Sequence, residues 1–136
     1  MEQLDWLPIL VAAAAYWLLG VLWYSVLFGG LWSRGLEKQG VKLAKPSRGE
    51  MVTKFIGSFV ANLVVVIAIA WLVDALHLVR FVGAVKLGLL LGVGVSGMAL
   101  ATSYSWESKP LTNLLVDASY HTVGPIVAAV IVLAWS

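Results

Sequence analysis

Cysteine is absent from this chain. That excludes disulfides, thiolate nucleophiles and cysteine-ligated zinc or iron–sulfur centres. Charge is scarce: 12% of the 136 residues are Asp, Glu, Lys or Arg, against roughly 25% in a soluble domain. With 61% hydrophobic residues and a mean hydropathy of +0.94, too little polar surface remains to solvate a globule. The bilayer is therefore the expected solvent. Histidine occurs only as His77 and His121, in segments that a membrane would separate. Asp117 and His121 supply two metal ligands and Glu107 a conceivable third, short of the fixed three-ligand set of a catalytic zinc. Ser25 or Ser119 could be nominated as a nucleophile, but no nucleophile elbow, phosphate loop or dinucleotide fingerprint surrounds them. The sequence thus predicts no enzyme, no metal and no cofactor.

Four apolar runs are present, at residues 6–28, 52–73, 81–104 and 111–135. Each is close to the roughly 20 residues that cross a bilayer as a helix. The first is too long for a signal-peptide core and has Glu2 and Asp5 in front where a signal has basic residues. It reads as a retained span. Backbone amides in lipid must be satisfied within the segment, and the runs are too uniformly apolar for a barrel. The expected fold is all-α: one integral-membrane four-helix bundle over residues 1–136, with antiparallel neighbours joined by short connections.

The one hydrophilic stretch is the basic connection at residues 29–51. Leu31, Trp32 and Leu36 can form a short interfacial helix there, or belong to a solvated loop. Ser47-Arg48-Gly49-Glu50 has the spacing of a capping box, and Pro110 suits the first turn of the last helix. Arg34, Lys38, Lys42, Lys45, Arg48 and Lys54 flank the first connection and Lys109 lies in the third. Only Arg80 and Lys86 flank the second. By the positive-inside rule the first and third connections face the cytoplasm, with both termini outside a cell's inner (plasma) membrane. The basic loop lacks the aromatic interleaving of a nucleic-acid site; anionic lipid headgroups are its expected partner. Trp6, Trp32, Trp106 and Trp135 lie at predicted boundaries and read as interfacial anchors.

Leu-Leu-Gly-Val occurs at 18–21 and again at 90–93, in spans running the same way. The second halves do not align at a constant offset, so chance explains the echo better than duplication. The run Tyr16 to Trp32 contains Trp23-Tyr24-Ser25, Leu27-Phe28-Gly29 and Trp32. It resembles the signature that ends the first span in a group of small bacterial four-span proteins catalogued as a domain of unknown function. Val26 stands where that group has proline, and the spacing to Phe28 is a residue short. The last span, from Lys109-Pro110 through Tyr120-His121 to Trp135, is also similar. The resemblance implies a four-span fold and no activity.

The last span carries the costliest residues. Asn113, Asp117 and His121 recur at i, i+4 and i+8, one stripe of a helix. Pro125 lacks the N–H that would bond the His121 carbonyl. Asp117 falls near the cytoplasmic boundary and His121 about 6 Å deeper, at 1.5 Å per residue. Charge at mid-bilayer costs at least roughly 2.5–3.5 kcal/mol. The same half of the other spans holds Tyr24, Ser25, Ser58, Asn62, Thr102, Ser103 and Tyr104, while the outer half is almost purely aliphatic. Two expectations arise. Asp117, His121, Asn113, Tyr120, Asn62, Tyr24 and Ser25 converge on a cytoplasm-facing polar cavity that binds protons or a small solute, in an oligomeric channel or transporter unit. Alternatively they form a structural hydrogen-bond cluster in an accessory or scaffold subunit of a larger membrane complex. Ala84, Gly88, Gly92 and Ser96, one small residue every four, predict a close helix contact within the bundle or a seam between copies.

Overall fold

The computed structural model describes residues 4–38, 40 and 47–135. Among them there are helices and no strand, and four helices are long and apolar enough to cross a membrane. These are α1 (Trp6–Leu27), α3 (Arg48–Ala75), α4 (Phe81–Glu107) and α5 (Leu111–Trp135). A shorter amphipathic helix, α2 (Gly29–Lys38), follows α1 and contains Leu31, Trp32 and Leu36. Lys42 and Lys45 lie outside the described residues.

Local chemistry sets the helix ends. The Asp5 side chain accepts from the Leu7 N–H at 3.2 Å and caps α1. Ser47 Oγ accepts from the Glu50 N–H at 3.2 Å and caps α3, the first half of the capping box. Pro110 directly precedes α5, and its carbonyl accepts from the Leu114 N–H. α3 and α4 end alike. Leu78 N–H returns to the Val73 carbonyl and Lys109 N–H to the Tyr104 carbonyl. His77 (φ 52) and Ser108 (φ 55) take the left-handed position where such a closure usually has glycine.

α5 is the hub. α1 and α4 pack along two of its sides, and α3 packs on both α1 and α5. α3 and α4 are joined by a short turn but are not a packed pair; their common neighbour is α5. Side-chain pairings fix the directions. Tyr16 meets His121 while Tyr24 meets Asp117, so α1 and α5 are antiparallel. Gly88 lies against Ile126 and Gly97 near Ala118, so α4 and α5 are antiparallel too. Leu4, Asp5 and Trp135 line one cavity of about 490 Å³ with His77, which puts both ends of the described chain at one end of the bundle.

The core of that end is tight. Ala12, Ala13, Ala84, Ala128 and Ala129 have no exposed surface and interlock with Ile9, Val66 and Ile69. Between helices in lipid the apolar driving force is small, so close packing of small residues carries association. The opposite end is looser. From Arg48 to Ala61 every residue of α3 is exposed except half-buried Phe59, and burial begins only at Asn62. α1 and α3 therefore part toward the basic connection.

Both helices that flank α5 contain wide turns. Residues 23–27 of α1 and 90–97 of α4 are π-helical. In α1 the Phe28 N–H reaches the Trp23 carbonyl five residues back, at 2.8 Å. Such a turn adds a residue and rotates the remainder of the helix about its axis. Its effect is visible in the small-residue stripe. Ala84, Gly88 and Gly92 are buried against α5, but the next buried small residue is Gly97 rather than Ser96. The stripe is thus an internal contact between α4 and α5. The Leu-Leu-Gly-Val echo has a structural counterpart: Gly20 faces Tyr120 from α1, and Gly92 faces Thr122 and the His121 carbonyl from α4. That carbonyl, deprived of a helical donor by Pro125, lies where a Gly92 Cβ would be 2.8 Å away.

Candidate functional site

All four tyrosines of the chain gather around the middle of α5. Two are brought there by the wide turns: Tyr24 sits within the one in α1, and Tyr104 lies beyond the one in α4. Tyr24 Oη donates to Asp117 Oδ1 at 2.5 Å, and Tyr104 Oη donates to Oδ2. The Trp32 indole of α2 also faces this carboxyl. Asp117 thus ties α1 and α4 to α5 through neutral donors. A carboxylate accepts at both oxygens, so two donating hydroxyls suit it. The cation one step away is Lys109, whose ammonium lies 5.0 Å over the Tyr104 ring while it pairs with Glu107 at 2.7 Å.

Asn113, one turn earlier on α5, is 1% exposed. Its Nδ2 donates to the Trp32 carbonyl at 2.9 Å, which pins α2 to the bundle. Gly35 makes this possible, because any Cβ there would collide with the Asn113 amide. Trp23 adds an indole N–H donated to the Val116 carbonyl at 3.0 Å. Trp32, expected at the interface as an anchor, is built into this lock through both its backbone and its ring, which stacks edge-on with Tyr24 at 5.8 Å.

His121 belongs to a second group. Its Nδ1 lies 2.7 Å from Tyr16 Oη. Tyr16 is 1% exposed, and a Gly124 Cβ would clash with its ring. Among the described residues Nδ1 is the one hydrogen-bond partner of the Tyr16 hydroxyl, and the tautomer of the imidazole sets which of the two donates. Tyr120 Oη donates to the Tyr16 carbonyl at 2.9 Å and accepts from Asn62 Nδ2 at 3.2 Å. The Tyr16, Tyr120 and His121 rings pack with centroids 4.8–6.1 Å apart.

Where α1 and α3 part, a cleft of about 500 Å³ opens. Of the residues expected to converge, His121, Tyr120, Asn62, Tyr24 and Ser25 line it, as does Ser58; Trp17 and Phe55 form an aromatic wall. Trp17 Nε1 donates to the Phe55 carbonyl at 3.2 Å, and the two rings meet edge to face at 5.7 Å. Ser25 lines the cleft but spends its hydroxyl on the Val21 carbonyl of its own helix.

Two expectations need correcting. Asp117 and His121 do not form a pair at the floor of one cavity. Each takes its own tyrosine, and Asp117 and Asn113 lie under α2, outside the cleft lining. Thr102 and Ser103 do not join the polar layer; both are exposed, and Thr102 Oγ1 bonds the Met98 carbonyl one turn back. The wide turn in α4 aims Tyr104 at Asp117 and leaves its neighbours facing outward. Sequence reasoning missed Tyr16 as a site residue, although it lies eight residues before Tyr24 on the same stripe of α1. Among the described residues, no three His, Asp or Glu side chains are grouped to share a metal ion.

No curated protein and no solved structure matches the chain. The model of a family described as protein of unknown function (DUF1761) matches residues 7–133, nearly the whole length, and the chain belongs to that family.

Proposed function

We propose that this protein is a small membrane transport unit, a channel or transporter subunit acting as an oligomer, whose proton- or solute-binding group is His121 at the floor of the cleft between α1 and α3. The observation that carries this reading is the cleft itself. A recess of about 500 Å³, its walls mostly apolar, reaches an imidazole fixed on one side by Tyr16, with no hydrogen bond to its other nitrogen among the described residues. Ionisable side chains inside membrane spans are costly and mark binding or proton pathways by default. Asp117 plays the supporting part: it holds Tyr24, a wall of the cleft, while Asn113 keeps α2 in place.

On this reading the basic end faces the cytoplasm of a cell's inner membrane, with both termini outside. Arg34 and Lys38 on α2 and Arg48 and Lys54 on α3 then meet anionic headgroups. The test is proton flux into liposomes reconstituted with the protein. pH-dependent flux that disappears in His121→Ala, with the variant's melting temperature within a few degrees of wild type, is the expected result. Absence of flux from the wild-type protein at every pH contradicts it.

A second reading rests on a different observation, the exposed first half of α3. A span that leaves its own bundle offers a face to another membrane protein, as an accessory or scaffold subunit would. It predicts co-purification with a larger complex in mild detergent. Recovery of a single small species counts against it.

A further inference from the structure

The cleft's lining restricts what it can hold. None of the residues around it is Asp, Glu, Lys or Arg. The lining offers no fixed counter-charge to a desolvated ionic solute, and a neutral one needs none. The occupant is therefore neutral. The polar groups sit on one side. With the Tyr16 hydroxyl donating to Nδ1, His121 offers an N–H at Nε2; Asn62 on the facing helix holds Tyr120 through its Nδ2, and Ser58 brings a hydroxyl to the lining. The Nε2–H at the cleft floor is met by an occupant that brings an acceptor. The other walls are rings, Trp17 and Phe55 with the faces of Tyr24 and Tyr120. Val21 and Phe55 at the rim are 39% and 45% exposed, and they run into the exposed apolar face of α3 at Ile56, Val60 and Val64. Entry is thus continuous with the surface that hydrocarbon covers. The volume falls within the roughly 300–1,000 Å³ of small-molecule sites.

We infer that the cleft binds a neutral, lipid-soluble carbonyl compound entering sideways from the bilayer, its carbonyl oxygen on His121 Nε2 and its flat apolar part against Trp17 and Phe55. The inference rests on the transport reading and names the solute class for the same site. The shared chemistry has two sources, a quinone-type ring dissolved in the membrane or the ester carbonyl of a bilayer lipid. The aromatic wall favours the ring.

The experiment measures retention of decylubiquinone by the full-length protein in nanodiscs, relative to empty nanodiscs. It is done once in ether-linked lipids, which lack ester carbonyls, and once in ester-linked lipids. Saturable retention near one molecule per chain in ether lipids is expected, weakened at least tenfold by His121→Leu. Ala61→Trp, at the exposed rim and outside the hydrogen-bond network, fills the cleft without disturbing the fold and abolishes retention. Equal affinity in both lipids assigns the site to the ring compound. A tenfold loss in ester lipids assigns it to the bilayer's own carbonyls. Retention no greater than in empty nanodiscs with both lipids, or retention unchanged by both His121→Leu and Ala61→Trp, overturns the inference. Proton flux is measured separately: flux without retention removes this ligand and leaves the transport reading, whereas retention without flux removes transport and leaves a binding site.

Discussion

The two ends of this bundle are built on different rules. At the end that holds the chain's termini, Ala12, Ala13, Ala70, Ala84, Ala128 and Ala129 let helices approach until little but backbone and methyl groups lies between them. At the other end the helices part, two of them carry π-turns, and tyrosine, asparagine, aspartate and histidine side chains fill the space. Small residues fix the distance between helices and close the core between them. Large polar side chains hold helices apart while joining them, and that arrangement leaves a cleft with polar groups facing into it. The tight end supplies the rigidity against which the open end can be held apart.

The largest effect that separates the two ends is expected from Gly88→Val. Its Cβ would stand 2.6–2.7 Å from the Ile126 backbone, where no side chain can move aside. Forcing α4 away from α5 costs about 1–3 kcal/mol or more, read as a lower melting temperature in detergent. The Tyr104–Asp117 hydrogen bond, which joins the same two helices, should weaken with it. Next comes Asn113→Leu. It removes the bond to the Trp32 carbonyl from a fully buried position, worth about 1–2 kcal/mol. Faster amide exchange should be confined to α2 while the alanine-packed end keeps its protection. Tyr16→Phe is smaller, about 0.6 kcal/mol for one interhelical bond. Its signature is a change in the His121 ring ¹⁵N shifts, because Nδ1 loses its hydrogen-bond partner; unchanged shifts would show that the bond does not persist in the membrane. Ser25→Ala should change stability by less than about 0.5 kcal/mol, since the hydroxyl bonds only its own helix.

Much of the fold was legible in the residues. Four spans, the Ser47 cap and the stripe Asn113–Asp117–His121 emerge from run lengths, spacing and the cost of polarity in lipid. Two things did not. A π-turn leaves no mark in a hydropathy pattern, because the added residue is as apolar as its neighbours in Leu90–Gly97. Yet it moves the packing face from Ser96 to Gly97 and aims Tyr104 rather than Thr102 or Ser103 at the interior. The second is partner choice. Depth alone put Asp117 and His121 in one layer. Which tyrosine each takes depends on helix rotation, set by Gly20, Gly35 and Gly124, where close approach seats Tyr120, Asn113 and Tyr16. Those glycines were visible in the sequence, but their partners lie up to about a hundred residues away along it.

Binding and transport both require the polar end to be an open recess rather than a closed cluster, and the absence of cysteine makes that directly measurable. Single cysteines are placed at Ser58 in the cleft, at Val64 on the outer face of the same helix and at Ala129 in the tight core, each in liposomes treated with N-ethylmaleimide. A thiol reacts as thiolate, which forms where polar groups or water are at hand. Rapid modification at position 58, with positions 64 and 129 both slow, is the predicted result; a position 58 as slow as position 129 would contradict the account.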